Sequence, residues 1–339
     1  MDIRKTLELL TGAVGVSGAE NEASRTALEL LSEYAPDAQC DALGNVTALI
    51  PAQDASAPTL MLDAHIDQIG FIVSYIDPDG FLKVGACGGP DMRIMLAQSV
   101  TVHGVQDIRG VVSTLPPHVS SDHTKVPEAG EIAIDIGMTR EEAEKAVPLG
   151  SRVTVDSDFL ELSDGVISAP SVDDRSGVCA VLCALDMLRG RKLRYNLAVC
   201  FSAQEETGER GVKGAAFRLQ PDEAIAVDVS FGRTPDSVPH ETAVLGSGAM
   251  IGYSAALDRG MSDVLKSAAE KNGIPYTIEV MPSSTGTNAD SISISRAGVK
   301  CCTVSIPIRY MHTPIETVRL SDIESAARLI CEYAAGGEN

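Results

Sequence analysis

The sequence runs to 339 residues with 44% hydrophobic and 22% charged side chains, a globular balance too long for one comfortable core. A formal charge of −20, from 47 acidic and 27 basic residues, argues against nucleic acid or an anionic membrane surface as partner. Aromatics make up 4% and Trp is absent, so the core has to be aliphatic.

Residues 3–11 and 20–34 place Ile3, Leu7, Leu10, Leu28, Leu31 and Tyr34 at spacings of three and four, which predicts two helices lying on a sheet. Turn chemistry at Asp41 to Asn45 precedes two strand-like runs, 46–50 and 59–64, and the second leads into His65 and Asp67. From about 70 to 165 the character changes to short β-rich runs at 71–76, 81–84, 99–105, 110–115 and 152–155. One helix interrupts them at 139–146, with Thr139 as cap and Glu142 three residues on. This section reads as a small β-domain, 70–164, inserted into a larger domain made of 1–69 and 165–339.

After Ala169 the pattern alternates: helix 176–188, strand 197–203, helix 211–219, strand 224–227, helix 262–272, strand 277–280, helix 290–297 and strand 301–306. A final helix, 321–334, has Ser321 at its start with Glu324 in capping-box register. Alternation of this kind predicts an α/β fold, a mostly parallel mixed sheet flanked by helices, with ligands beyond the carboxyl ends of its strands. Eight cysteines without a CxxC pair, most of them in apolar runs, fit reduced thiols in the cytoplasm. The N-terminus lacks an apolar signal core, and no run approaches the length of a membrane span.

Four strand-like runs end in groups that bind metals: His65 and Asp67, Glu205 and Glu206, Asp228, and, six residues past the last strand, His312. Delivery of His, Asp and Glu to one sheet edge is the pattern of a metal crevice. In an extended backbone His65 and Asp67 share a side, and such an Asp can accept the second ring N–H of a metal-bound His. Asp173 and Asp174 precede a helix, where one could bridge two cations while the other meets Arg175 or the helix N-terminus; simple capping is the plain alternative. Glu205 and Glu206 diverge, so one can ligate and the other hold an attacking water, and spacing leaves open which does which. His103, His118, His123 and His240 lie in a strand or turn-rich segments and make weaker ligands.

Ala64-His-Ile-Asp67, Ser171-Val-Asp-Asp-Arg-Ser-Gly177, Ala203-Gln-Glu-Glu-Thr-Gly-Glu-Arg-Gly211, Asp228-Val-Ser230 and Arg309-Tyr-Met-His-Thr-Pro-Ile-Glu-Thr317 occur in an order that resembles the M42 family of metallo-aminopeptidases. Pro116-Pro-His118, Ile134-Asp-Ile-Gly137 and Thr285-Gly-Thr287 extend the resemblance over nearly the whole chain. The resemblance implies that His65 and Asp228 bind one metal and Glu206 and His312 the other, with Asp173 bridging. It implies Glu205 as general base and Asp67 as support for His65. It further implies a zinc-peptidase-like fold with a PDZ-like inserted barrel serving substrate access and assembly, and a peptide bond after Asp173 that is often cis. Two divalent ions, zinc first and cobalt or manganese as alternatives, are expected, in a homo-oligomer such as a tetrahedral dodecamer acting on peptide substrates. Two departures, Phe231-Gly232 and the order of Asn288 and Asp290, fall in segments that read as loops shaping the substrate pocket. A two-metal carboxypeptidase or N-deacylase uses the same chemistry; a glycoside hydrolase or inert scaffold leaves both histidines without a task.

Overall fold

The computed structural model describes residues 1–116, 118–119 and 125–335, so His123 and Pro117 lie outside the described residues. The chain begins with α1 (Ile3–Gly12) and α2 (Asn21–Ser32), then β1 (Gln39–Cys40), β2 (Val46–Ile50) and β3 (Thr59–His65). Six strands follow: β4 (Gly70–Ile76), β5 (Leu82–Cys87), β6 (Ser99–His103), β7 (Asp107–Val112), β8 (Ile134–Asp135) and β9 (Arg152–Val155), with α3 (Arg140–Ala146) before the last. Then come β10 (Leu160–Glu161), β11 (Val166–Ala169), α4 (Val172–Leu188), β12 (Asn196–Ser202), α5 (Arg210–Leu219), β13 (Glu223–Phe231) and β14 (Ala249–Ser254). The chain finishes with α6 (Arg259–Asn272), β15 (Tyr276–Met281), α7 (Asn288–Ser293), β16 (Lys300–Arg309), β17 (Glu316–Arg319) and α8 (Leu320–Ala335).

One sheet of 11 strands runs β1-β2-β12-β3-β13-β16-β17-β11-β10, with β14 and β15 branching from β16. Its centre, β12-β3-β13-β16, is parallel, as helical crossovers require. Antiparallel partners β2, β14 and β17 border that centre and β14 pairs in parallel with β15, so the sheet is mixed, as expected, with its parallel strands in the middle and at that branch. On one face Leu62, Phe201, Val227 and Val304 pack with α4 and α8 into the main core. On the other, Met61, Cys200 and Ala226 form a smaller core with α5 and α7. Beyond its first turn, helix α4 is buried on nearly every side and largely apolar because it is sandwiched between the sheet, α1 and α8.

Strands β4 to β9 close an antiparallel barrel, filled by residues such as Phe71, Leu82, Val100, Val112, Ile134 and Val153. The Thr139 cap forms as expected: its hydroxyl accepts Glu142 N–H, and the Glu142 carboxylate accepts Thr139 N–H. Residues 160–161 already pair with β11 in the large sheet.

Several boundaries differ from the sequence reading. Strand β13 continues to Phe231 because its ladder with β16 runs on to the Phe231–Ile308 pair, so Asp228 lies inside a strand and not at its end. Phe231 therefore ends a strand, and Asn288 and Asp290 belong to α7; neither pair is in a free loop. Helix α7 starts and stops earlier than expected, capped by Thr287, whose hydroxyl accepts Ala289 N–H. Helix α8 follows directly on β17, so Ser321 is already a helical residue and not a cap. Among the described residues no helix is long and apolar enough to cross a membrane.

Candidate metal centre

Parallel pairing levels the central strands, setting Ser202 opposite His65 and Ser305 opposite Asp228. His65 is the last residue of β3, and Glu205 and Glu206 follow the end of β12 by three and four residues. Asp173 comes from the distorted first turn of α4, on the opposite face, and reaches over the strand ends; the Asp173–Asp174 peptide bond is cis. His312 sits in the turn between β16 and β17.

These residues converge. His65 Nε2 lies 2.9 Å from Asp173 Oδ1 and 3.9 Å from Asp228 Oδ1. His312 Nε2 lies 3.4 Å from Asp173 Oδ2 and 3.4 Å from Glu206 Oε1. Two donor groups result, His65 with Asp173 and Asp228, and Glu206 with Asp173 and His312, the ligand atoms of each within 4.8 Å of one another. The two oxygens of Asp173 thus face two different imidazoles. Glu205 belongs to neither group.

A second layer fixes the backbones that carry these side chains. Asp67, fully buried, accepts Glu205 N–H at 2.9 Å and Glu206 N–H at 3.2 Å, receives the Ser17 hydroxyl, and lies 3.5 Å from His65 Nδ1. Asp174 takes the N–H of His65 at 3.2 Å and of Gly177 at 2.9 Å, which is the helix-terminus role and leaves Arg175 to other partners. The buried Arg175 donates to the carbonyls of Leu10 and Ala13, tying α1 beneath the site. Glu316, also buried, accepts Asp173 N–H at 2.9 Å and His312 N–H at 2.8 Å. The barrel contributes too: His312 Nδ1 meets Gly89 O at 2.9 Å. A Cβ on the neighbouring Gly88, whose φ is +74°, would approach Glu206 Oε2 to 3.0 Å.

Burial pushes the Glu205 carboxyl up to about 7 and the Glu206 carboxyl up to about 8, and raises Asp228 as well. Asp173 is displaced downward: burial opposes this, but hydrogen bonds to His312 and His65 outweigh it. The contact with Asp173 lifts His312 to about 9. His65 is raised despite its burial, through Asp173 and Asp67. Crowded, buried carboxylates of this kind attract positive charge, and imidazole nitrogens beside carboxylate oxygens suit zinc, cobalt or manganese.

The other histidines stand apart. His103 bonds to Asp107 and Thr154 on the barrel, and His118 and His240 are exposed. Asn288 is buried, its amide bonded to Asp63 and Ser202, while Asp290 receives the N–H groups of Thr285 and Gly286. Sequence reasoning assigned no role to Ser17 or Glu316. For Glu316 a signal existed, its place in the same Arg309-to-Thr317 motif as His312.

A family model described as M42 glutamyl aminopeptidase matches residues 44–329. A lysyl aminopeptidase of Pyrococcus furiosus is 33% identical over 93% of this chain and 92% of its own. An aminopeptidase of the archaeon Desulfurococcus kamchatkensis superposes with a TM-score of 0.93 at 33% identity, over 99% of this chain and 95% of its own. The Pyrococcus horikoshii TET1 peptidase, which can assemble into a tetrahedron or a large octahedral shell, gives 0.86 at 29% identity, over 98% and 99%.

Proposed function

The chain belongs to the M42 glutamyl aminopeptidase family, and we propose that it hydrolyses the first peptide bond of peptides with a free α-amine, using two divalent cations. The observation that carries this reading is the placement of Asp173, whose two oxygens face His65 and His312 separately. His65 and Asp228 would hold one ion, Glu206 and His312 the other, with Asp173 between them. Zinc fits the donor set first, with cobalt or manganese as substitutes. When bound, such ions supply Lewis acidity and make a neighbouring water acidic at neutral pH.

The protein's own groups do the rest. Glu205, outside both donor sets and with its carboxyl near neutrality, takes the proton from the attacking water and returns it to the departing amine. Asp67 aligns this base with Glu206 by holding both backbone N–H groups. Glu316 sets the distance between Asp173 and His312 in the same way. Gly88 and Gly89 bring the barrel up against Glu206 and His312, so the inserted segment 70–164 forms one wall of substrate access to the catalytic part, 1–69 and 165–339. A homo-oligomer, a tetrahedral dodecamer by analogy with TET1, is the expected assembly. Free cysteines fit a cytoplasmic setting.

The test is release of the first residue from free and N-acetylated peptides, before and after chelation and after return of Zn²⁺, Co²⁺ or Mn²⁺. Metal-dependent release from free peptides alone is expected. Cleavage confined to acetylated substrates would move the assignment to an N-deacylase, and release from the carboxyl end to a carboxypeptidase.

A further inference from the structure

Glu279 is a carboxylate that the proposed reaction does not use. It lies on β15 opposite Gly252 of β14, and its side chain passes over β14 to reach the central strands. There one oxygen accepts the Ser305 hydroxyl at 2.8 Å, and the other accepts the hydroxyl of Ser230. Gly252 itself has no room for a side chain: a Cβ there would collide with the Thr303 hydroxyl and crowd Met281, both on the side of the sheet from which Thr303 and Ser305 project. The bare position in the middle of β14 thus leaves space beside Thr303, in the register where Glu279 pairs with Gly252.

Both anchoring serines border the metal centre. Ser305 is directly opposite Asp228 in the parallel ladder, and Ser230 lies two residues beyond Asp228 on the same strand face, about 7 Å along it. Ser230 and Ser305 are buried, whereas Glu279 stays partly open to solvent. Burial raises its carboxyl, and its described partners are two neutral hydroxyls, with no cation paired to it among the described residues. Nearby, the hydroxyls of Thr277 and Thr303 are buried without a hydrogen-bond partner. The patch is thus an oriented, half-desolvated negative group with spare hydrogen-bonding capacity, a costly arrangement unless a cation joins it.

We propose that Glu279, held by Ser230 and Ser305, is the subsite for a cationic side chain on the first residue of the substrate, lysine or arginine. This rests on the aminopeptidase reading. An α-amine held beside Asp228 leaves the first side chain within reach of Ser230, and an ammonium or guanidinium there completes the charge of Glu279. The same carboxylate repels a glutamyl or aspartyl side chain, so the site favours basic over acidic first residues.

The test compares metal-loaded protein on lysyl, arginyl, leucyl, norleucyl and glutamyl peptides that are otherwise identical. A kcat/KM at least tenfold higher for lysyl than for norleucyl is expected, with glutamyl lowest. Glu279→Gln should bring the lysyl-to-norleucyl ratio down to near one. Equal ratios in the natural protein, a glutamyl preference, or an equal loss on every substrate in the variant would overturn the proposal; the last would reassign Glu279 to the α-amine. Calorimetric binding of lysinamide against norleucinamide to the unaltered protein asks the same question without turnover or a variant. Tighter binding of lysinamide supports the subsite, and equal binding sinks it. Failure to cleave any free peptide would strike the aminopeptidase reading, while this comparison of the two amides still decides the subsite.

Discussion

The two faces of the central sheet are written by the same strands and diverge most toward the carboxyl ends of those strands. Toward α4 and α8, Leu60, Leu62, Phe201, Ile225, Val227, Cys302, Val304 and Ile306 are buried hydrocarbon or thiol. Toward α5 and α7, the alternate positions start with the small apolar set of Met61, Cys200 and Ala226 and then, toward the carboxyl ends of the strands, carry Asp63, His65, Ser202, Asp228, Ser230, Thr303 and Ser305, all buried. A period of two lets one strand place a core residue and a chemical group next to each other without either giving way. The aliphatic face supplies the rigidity, and the polar face holds its side chains to fixed positions because their backbones are locked into that rigid ladder. Function on one side depends on packing from the other, yet the two should respond to substitution in different currencies.

The largest expected effect is on the polar side, with Glu205→Gln. The amide keeps the shape but cannot take a proton, so kcat should fall about 10²–10⁴-fold while bound metal, measured by elemental analysis, stays near that of the unaltered protein. Loss of metal in this variant would show that Glu205 is a ligand and that the division of labour with Glu206 is wrong. The counterpart is Leu62→Ala, one residue from Asp63 in sequence but on the other face. Here stability should drop by about 2–5 kcal/mol in chemical denaturation, with kcat nearly unchanged at a temperature where the protein is folded. A large fall in kcat without loss of stability would mean the faces are not separable.

The site was legible where it broke a local rule. Apolar runs that terminate in His65, Glu205 or Glu206 announce themselves because buried strands do not end in clustered charge without a partner for it. The Thr139 and Glu142 cap was legible because all its partners lie within one turn. Ser321 and Glu324 show the same spacing, and failed because β17 enters α8 with no intervening residue. The ligand division between two donor groups came from family resemblance, since adjacent acids look alike in sequence. Strand β14 was not anticipated: Ala249-Met-Ile-Gly-Tyr-Ser254 is short and interrupted by a glycine. Glu279 could not have been found either. In Tyr276-Thr-Ile-Glu-Val-Met281 it reads as the solvent side of a short strand, and only the fold brings its carboxylate to the Ser230 and Ser305 hydroxyls of the central strands. Glu316 reaches Asp173 across 143 positions of sequence, a relation created by the fold alone.

The smallest expected effect concerns a charge on the packed side. Asp322 on α8 is fully buried, accepts the N–H groups of Gly246 and Gly248 at 2.7 and 2.8 Å, and is pushed up to about 6 by burial. An unfolded aspartate titrates near 3.9, so between about pH 4 and 6 the folded protein binds the extra proton. Stability contributed by this group is therefore present at low pH and lost as pH rises through the folded value, by up to about 3 kcal/mol. Asp322→Asn removes the titration and keeps an acceptor for one of the two glycine N–H groups, the loss of the other being a cost that does not vary with pH. Measured as the difference between the two proteins, the variant should gain on the unaltered one as pH rises from 4 to 6, and the difference should level off above about 7. A difference that stays flat across the window would mean that the two glycine N–H groups and Arg319 offset the desolvation of Asp322, and that the packed face tolerates charge better than its aliphatic surroundings imply.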